Sequence, residues 1–151
     1  MRRSIIVGAA VFMTLLVGST AALAASPHFI NASAARSGDD LVVSWKEAGL
    51  GDNLNIDYTA SATATRVDSC VNGGGKVPKD PKKTTTVADV NSAGTFSVQN
   101  GQVTASLTIS PPATTLVCPS GQTATLISLS YTNVRITDTT NGIFRDIPGT
   151  F

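Results

Sequence analysis

The 151-residue chain carries 11 Lys and Arg against 10 Asp and Glu, with 14% charged and 42% hydrophobic residues. So small a net charge gives nucleic acid no field to follow. One histidine and two cysteines leave no second imidazole for a histidine brace and no Cys-x-x-Cys pair for redox or zinc chemistry.

The N-terminus has the parts of a secretory signal: basic Arg2 and Arg3, an apolar run from Ile5 to about Leu23, and the small-residue site Ala22-Leu23-Ala24. Residues 1–24 are expected to be removed, leaving 127 residues as one domain large enough for a core. An uncleaved signal anchor is the competing reading, because the run is about long enough to cross a bilayer. Of those 127 residues, 31 are Ser or Thr. With so little charge, that points to strands with a hydroxyl-rich face.

In chain order, Ser26–Ala35 reads as a first strand anchored by Phe29, and Ser37-Gly38-Asp39-Asp40 turns the chain. Leu41, Val43 and Trp45 then alternate with polar neighbours, which places the only tryptophan in the core. Glu47–Asn53 is expected to be a connection. The longest alternation follows, with Leu54, Ile56, Tyr58, Ala60, Ala62 and Ala64 on one side of a strand that ends at Cys70. Residues 72–86 contain three consecutive glycines, Pro78, Pro81 and the lysines Lys76, Lys79, Lys82 and Lys83, a composition that excludes a central strand. Export puts Cys70 and Cys118 in an oxidising compartment, where an even pair is expected to form one disulfide.

A short strand is expected at Thr85–Val90 and a turn at Asn91–Gly94. In Thr95–Ile109 the dipeptide Asn100-Gly101 favours a two-residue turn with both φ values positive. The register it implies sets Val98 opposite Val103 and Phe96 opposite Ala105 in one hairpin, with Ser97 and Thr104 on the solvated face. Pro111 and Pro112 stop the ladder. In Gln122–Asp138 the apolar phase slips twice, after Leu126 and after Tyr131, so a bulge or bend is expected at each. A turn at Asp138–Gly142 and a strand at Ile143–Ile147 bring the total to about eight.

The segment LVVSW at 41–45, followed by Tyr58 in the next strand, resembles the first half of a fibronectin type III or related immunoglobulin-like domain. Trp45 precedes both cysteines, so the antibody-type Cys, Trp, Cys order is absent. The segments SCVNGGGK, ASLTISPP, CPSGQT and SYTNVRITDTTNG are similar to those of small proteins secreted by actinobacteria. These resemblances imply an all-β, immunoglobulin-like antiparallel sandwich with one disulfide, and no particular activity.

Candidate chemistry is sparse. His28 lies too close to the expected mature N-terminus to serve as an oriented catalytic base. The one glutamate outside the leader, Glu47, and nine scattered aspartates are read as solvated surface acids rather than a glycosidase pair. Asp138 with Asn141 could contribute to a calcium site, although the stretch lacks the dense acidic ladder of a calcium loop, and a capped turn explains the pair just as well. Trp45, Tyr58, Phe96 and Tyr131 fall on buried phases, which leaves Phe29, Phe144 and Phe151, near the ends, as the aromatics for a minor sugar-binding reading. What remains is the lysine loop, and Lys76, Lys79, Lys82 and Lys83 are the candidate ligand-binding residues. The expectation is a secreted, non-enzymatic binding module without cofactor or metal, acting on an anionic cell-wall polymer or another secreted protein. The alternatives are a small inhibitor of an exoenzyme, with the loop as bait, and a hydrolase.

Overall fold

The computed structural model describes residues 26–151. The expected signal, and with it the cleavage site, lies outside the described residues. Seven strands run in order: β1 (His28–Ser37), β2 (Asp40–Ala48), β3 (Asn55–Asn72), β4 (Lys83–Ser97), β5 (Gln102–Ile109), β6 (Gln122–Asp138) and β7 (Ile143–Ile147). They form two antiparallel sheets, ordered β1-β2-β5 and β4-β3-β6-β7. Among the described residues no helix is long and apolar enough to cross a membrane.

Side chains alternate across a strand, so each sheet offers one apolar face, and the two faces meet. Sheet one contributes Leu41, Val43, Trp45, Val103 and Ile109 to the core, and sheet two contributes Ile56, Tyr58, Ala60, Ala62, Ala64, Tyr131, Val134 and Ile136. Trp45 belongs to an aromatic group, with its ring centroid 4.8 Å from that of Tyr58 and 5.3 Å from that of Phe96.

Both slips of the apolar phase in β6 are bulges. Val67 pairs with Ser128 and Asp68 with Leu126, which leaves Ile127 as the extra residue. Ser61 pairs with Arg135 and Thr63 with Thr132, and the surplus falls at Asn133–Val134, where Asn133 takes φ 52°. A bulge returns the next apolar residue to the inner face, which is why Val134 and Ile136 are buried after Tyr131.

Three sequence expectations are corrected. The strand count is seven because Thr85–Val90, Asn91–Gly94 and Thr95–Ser97 belong to one continuous β4, paired without interruption to β3. Gly94 is the cause of the misreading. A Cβ there would meet the Phe96 ring at 3.1 Å and Leu107 Cδ2 at 3.2 Å, so glycine serves close packing rather than a turn.

Second, Thr95–Ile109 is not a hairpin within one sheet. Asn100 and Gly101 do have φ values of 52° and 71°, and Gln99 bridges Gln102, but β4 then joins β3 while β5 joins β2. The turn is the corner where the chain changes sheets. Phe96 and Val103 still point inward, from opposite walls. Third, Leu54 is 82% exposed, because β3 begins after it, at Asn55.

β3 has 18 residues and β6 has 17, whereas β2 has nine and β5 eight. Sheet two therefore overhangs sheet one, and the strand-free segment 110–121 straps the uncovered inner face. Leu116 is buried there, Arg66 donates to the Pro112 carbonyl at 3.0 Å, and the Cys70–Cys118 disulfide pins the strap with a Cα–Cα distance of 5.6 Å.

Candidate functional site

The connection between β3 and β4 leaves from this strapped end. Its base is closed by Cys70 N–H donating to the Lys82 carbonyl at 2.9 Å and Asn72 N–H donating to the Lys76 carbonyl at 3.0 Å. Gly75 N–H, donating to the Asn72 carbonyl at 2.8 Å, tightens a turn that needs φ 73° at Gly75. The turn is thus a continuation of the β3–β4 pairing, cross-linked beside its base by Cys70.

Lys76, Lys79, Lys82 and Lys83 are all exposed. The Lys82 ammonium donates to the Val117 carbonyl on the strap at 2.9 Å, and Lys83 opens β4 opposite Ser69. Every ion pair among the described residues uses an arginine: Arg36–Asp39, Arg66–Asp68 and Arg135–Asp146. The lysines have no acid partner. Arginine's planar fork suits fixed bidentate contacts, whereas an unpaired lysine is a mobile, hydrated charge.

Beneath the strap, Asp68 is 1% exposed and accepts from Arg66 Nε at 2.7 Å. That hydrogen bond holds the Asp68 carboxyl below the usual carboxylate range against the opposing effect of burial.

At the other end of the sandwich lies a group the sequence reading missed. Glu47, expected in a solvated connection, is fully buried on the inner face of β2, and Asp138 is fully buried at the end of β6, directly opposite Tyr58. The reading of Glu47, Asp68 and Asp138 as surface acids is therefore corrected. A signal was present: Glu47 continues the inward parity of Leu41, Val43 and Trp45. Burial pushes the Glu47 carboxyl up to about 7, and the nearby Asp138 adds to that shift. Asp138 serves its turn, accepting from Asn141 N–H at 2.8 Å and from Asn141 Nδ2 at 2.6 Å, which is the expected cap.

His28 is exposed, its Nδ1 2.8 Å from the Ser26 carbonyl oxygen, and Asp57 is exposed on the outer face of β3. Among the described residues no three His, Cys, Asp or Glu side chains gather as a metal site would require. Among the described residues Phe144, 55% exposed, is the one Phe, Tyr or Trp ring presented to solvent, and the Arg135 guanidinium lies 3.9 Å above it. Asp146 grips that guanidinium at 2.6 and 3.2 Å, so the ring is already covered by a paired cation. The chain matches no protein-family model, no curated protein and no solved structure.

Proposed function

We propose that the protein is a secreted, non-enzymatic interaction module that uses its lysine-bearing end to hold an anionic partner, either a cell-wall polymer or the acidic surface of another secreted protein. The observation that carries this reading is the division of labour among the cations. All the arginine ion pairs brace the framework, while four lysines without acid partners gather at one end: Lys76 and Lys79 on a loop closed at its base and cross-linked to the strap, Lys82 against the strap, and Lys83 at the start of β4. Lysine stems lie on a partner's surface while the ammonium groups meet its charges. The scaffold beneath is an immunoglobulin-like sandwich of the fibronectin type III kind. In favour of it, the strand order follows the ABE and CFG halves of the immunoglobulin arrangement, with the fourth strand moved to the second sheet.

The test is to change all four lysines to glutamine. Salt-sensitive binding to isolated cell walls should be lost while the melting temperature stays nearly constant, since exposed loop charges contribute little to stability. Undiminished binding would remove this reading. A second reading, inhibition of an exoenzyme, is favoured by the clamped loop, in which Lys79 lies between Pro78 and Pro81 in the manner of bait on a fixed frame. It requires a protease to be blocked by the intact protein without rapid cleavage between Lys76 and Lys83.

A further inference from the structure

An open sheet has two edges, and proteins guard them with short strands, prolines, charges or bulges. On one side of this sandwich the guards are present. β1 is bulged between Phe29 and Asn31, and β7 is five residues long, ends before Pro148, and carries Arg145, which donates to the Phe29 carbonyl at 3.0 Å. On the other side they are missing. β4 is a 15-residue edge strand with no proline, no register shift against β3, and Lys83 and Asp89 as its only charges. Among the described residues its second edge makes no backbone hydrogen bond.

The half from Lys83 to Asp89 is also clear of sheet one. Counting outward from the Asn100-Gly101 corner, β5 runs beside β4 as far as Gly94, which meets Leu107, and ends at Ile109. Val87, in the clear half, is 63% exposed.

We propose that this edge pairs with the same edge of a second copy of the chain, antiparallel, about a two-fold axis at Thr86. Antiparallel self-pairing about a residue always joins positions of equal parity, so both side-chain faces and both hydrogen-bonding edges match. Centred on Thr86, Lys83 stands opposite the second copy's Asp89 and Asp89 opposite its Lys83, giving two cross-strand ion pairs. Thr85 faces Val87, which brings the two exposed valines into diagonal contact, and Thr86 faces itself, a favourable threonine pair. Asp89 already accepts from Thr63 Oγ1 at 2.9 Å through one oxygen, and the other remains for the lysine. The longer register, centred on Val90, sets the two Asp89 carboxylates on one face as diagonal neighbours, and like charges so placed repel. The product is a continuous eight-stranded sheet.

Sedimentation of the purified protein with single and exchanged charges tests this. The unchanged protein should dimerise reversibly. Asp89→Lys sets lysine opposite lysine, and Lys83→Asp sets aspartate opposite aspartate, so each variant alone should dimerise with a dissociation constant about ten-fold higher. An equimolar mixture of the two should recover the original constant as a heterodimer, as should the double exchange Lys83→Asp/Asp89→Lys. Recovery in the mixture shows that both variants are folded. A monomer at 100 µM, a dimer indifferent to either change, or failure of the mixture to associate would each overturn the proposal. Asp89→Lys leaves Lys76, Lys79, Lys82 and Lys83 in place, so the dimer is read in that variant separately from binding through the lysines.

Discussion

Glu47 and Tyr58 enter the same buried layer from opposite sheets, and among the described residues neither carboxylate oxygen of Glu47 nor the Tyr58 hydroxyl has a hydrogen-bond partner. A buried, unpartnered carboxylate is costly when ionised, which is why its carboxyl titrates at about 7 rather than 4.5. A raised folded-state pKa means the native chain holds a proton that the unfolded chain releases. The associated stability is fully present below about 4.5 and is lost as pH rises to about 7. The linkage amounts to roughly 3 kcal/mol. Denaturant melts should show falling stability between pH 5 and 8, and Glu47→Gln should flatten that fall. An equal slope in both proteins would show that Glu47 is not the group responsible.

Replacing Cys70 and Cys118 with serine should lower stability by about 4 kcal/mol, the order expected for cross-linking a loop of this length. The loss should be accompanied by faster amide exchange at Leu116 and around Arg66, because the strap then covers the overhang without its pin. Urea melts and hydrogen exchange on the same sample report both.

Phe96→Ala should cost about 3 kcal/mol, since it removes the ring packed edge-on against Trp45 at 5.3 Å and against Tyr58 at 5.9 Å. Ser97→Ala, one position along and exposed, should change stability by no more than about 0.5 kcal/mol. Comparable losses at the two positions in urea would contradict the inward orientation of Phe96.

Gly49→Ala should disrupt the start of β1. The residue has φ 76°, and a Cβ there would collide with the Ser26 carbonyl oxygen, so backbone has to move. A drop in melting temperature with early exchange of amides near His28 is the expected result. An unchanged melt would mean that Ser26–His28 does not rest on Gly49.

Much of the fold could be read from alternation: Leu41, Val43 and Trp45 in β2, Ile56 through Ala64 in β3, and both phase slips in β6. What alternation does not encode is which sheet a strand joins. Phe96 and Val103 point into the same core whether their strands pair with each other or lie in facing sheets, so the corner at Asn100-Gly101 has the same pattern as a hairpin. Gly94 shows a second limit, because glycine marks close packing as well as turns. Glu47 shows a third: a carboxylate is assigned to solvent by its type, and its inward parity is legible only once β2 is known to run on to Ala48. At the lysine loop, composition named the residues, while the closed base continues the β3–β4 ladder and the Lys82 contact to Val117 depends on a strap that has no periodicity.

The long ladder between β3 and β6 also dictates an order of assembly. Its partners, from Asn72 with Gln122 to Tyr58 with Asp138, are fifty to eighty residues apart in the chain, whereas β3 meets β4 through a single short connection. Closing the distant ladder is the slow step, because chain entropy is lost before its contacts form. Until then β3 has one bare margin on which any unfinished neighbour could template. The Cys70–Cys118 link lies at the near end of that ladder, so an early oxidation shortens the remaining search, and the timing of thiol chemistry during synthesis governs how long the unfinished chain is open to aggregation.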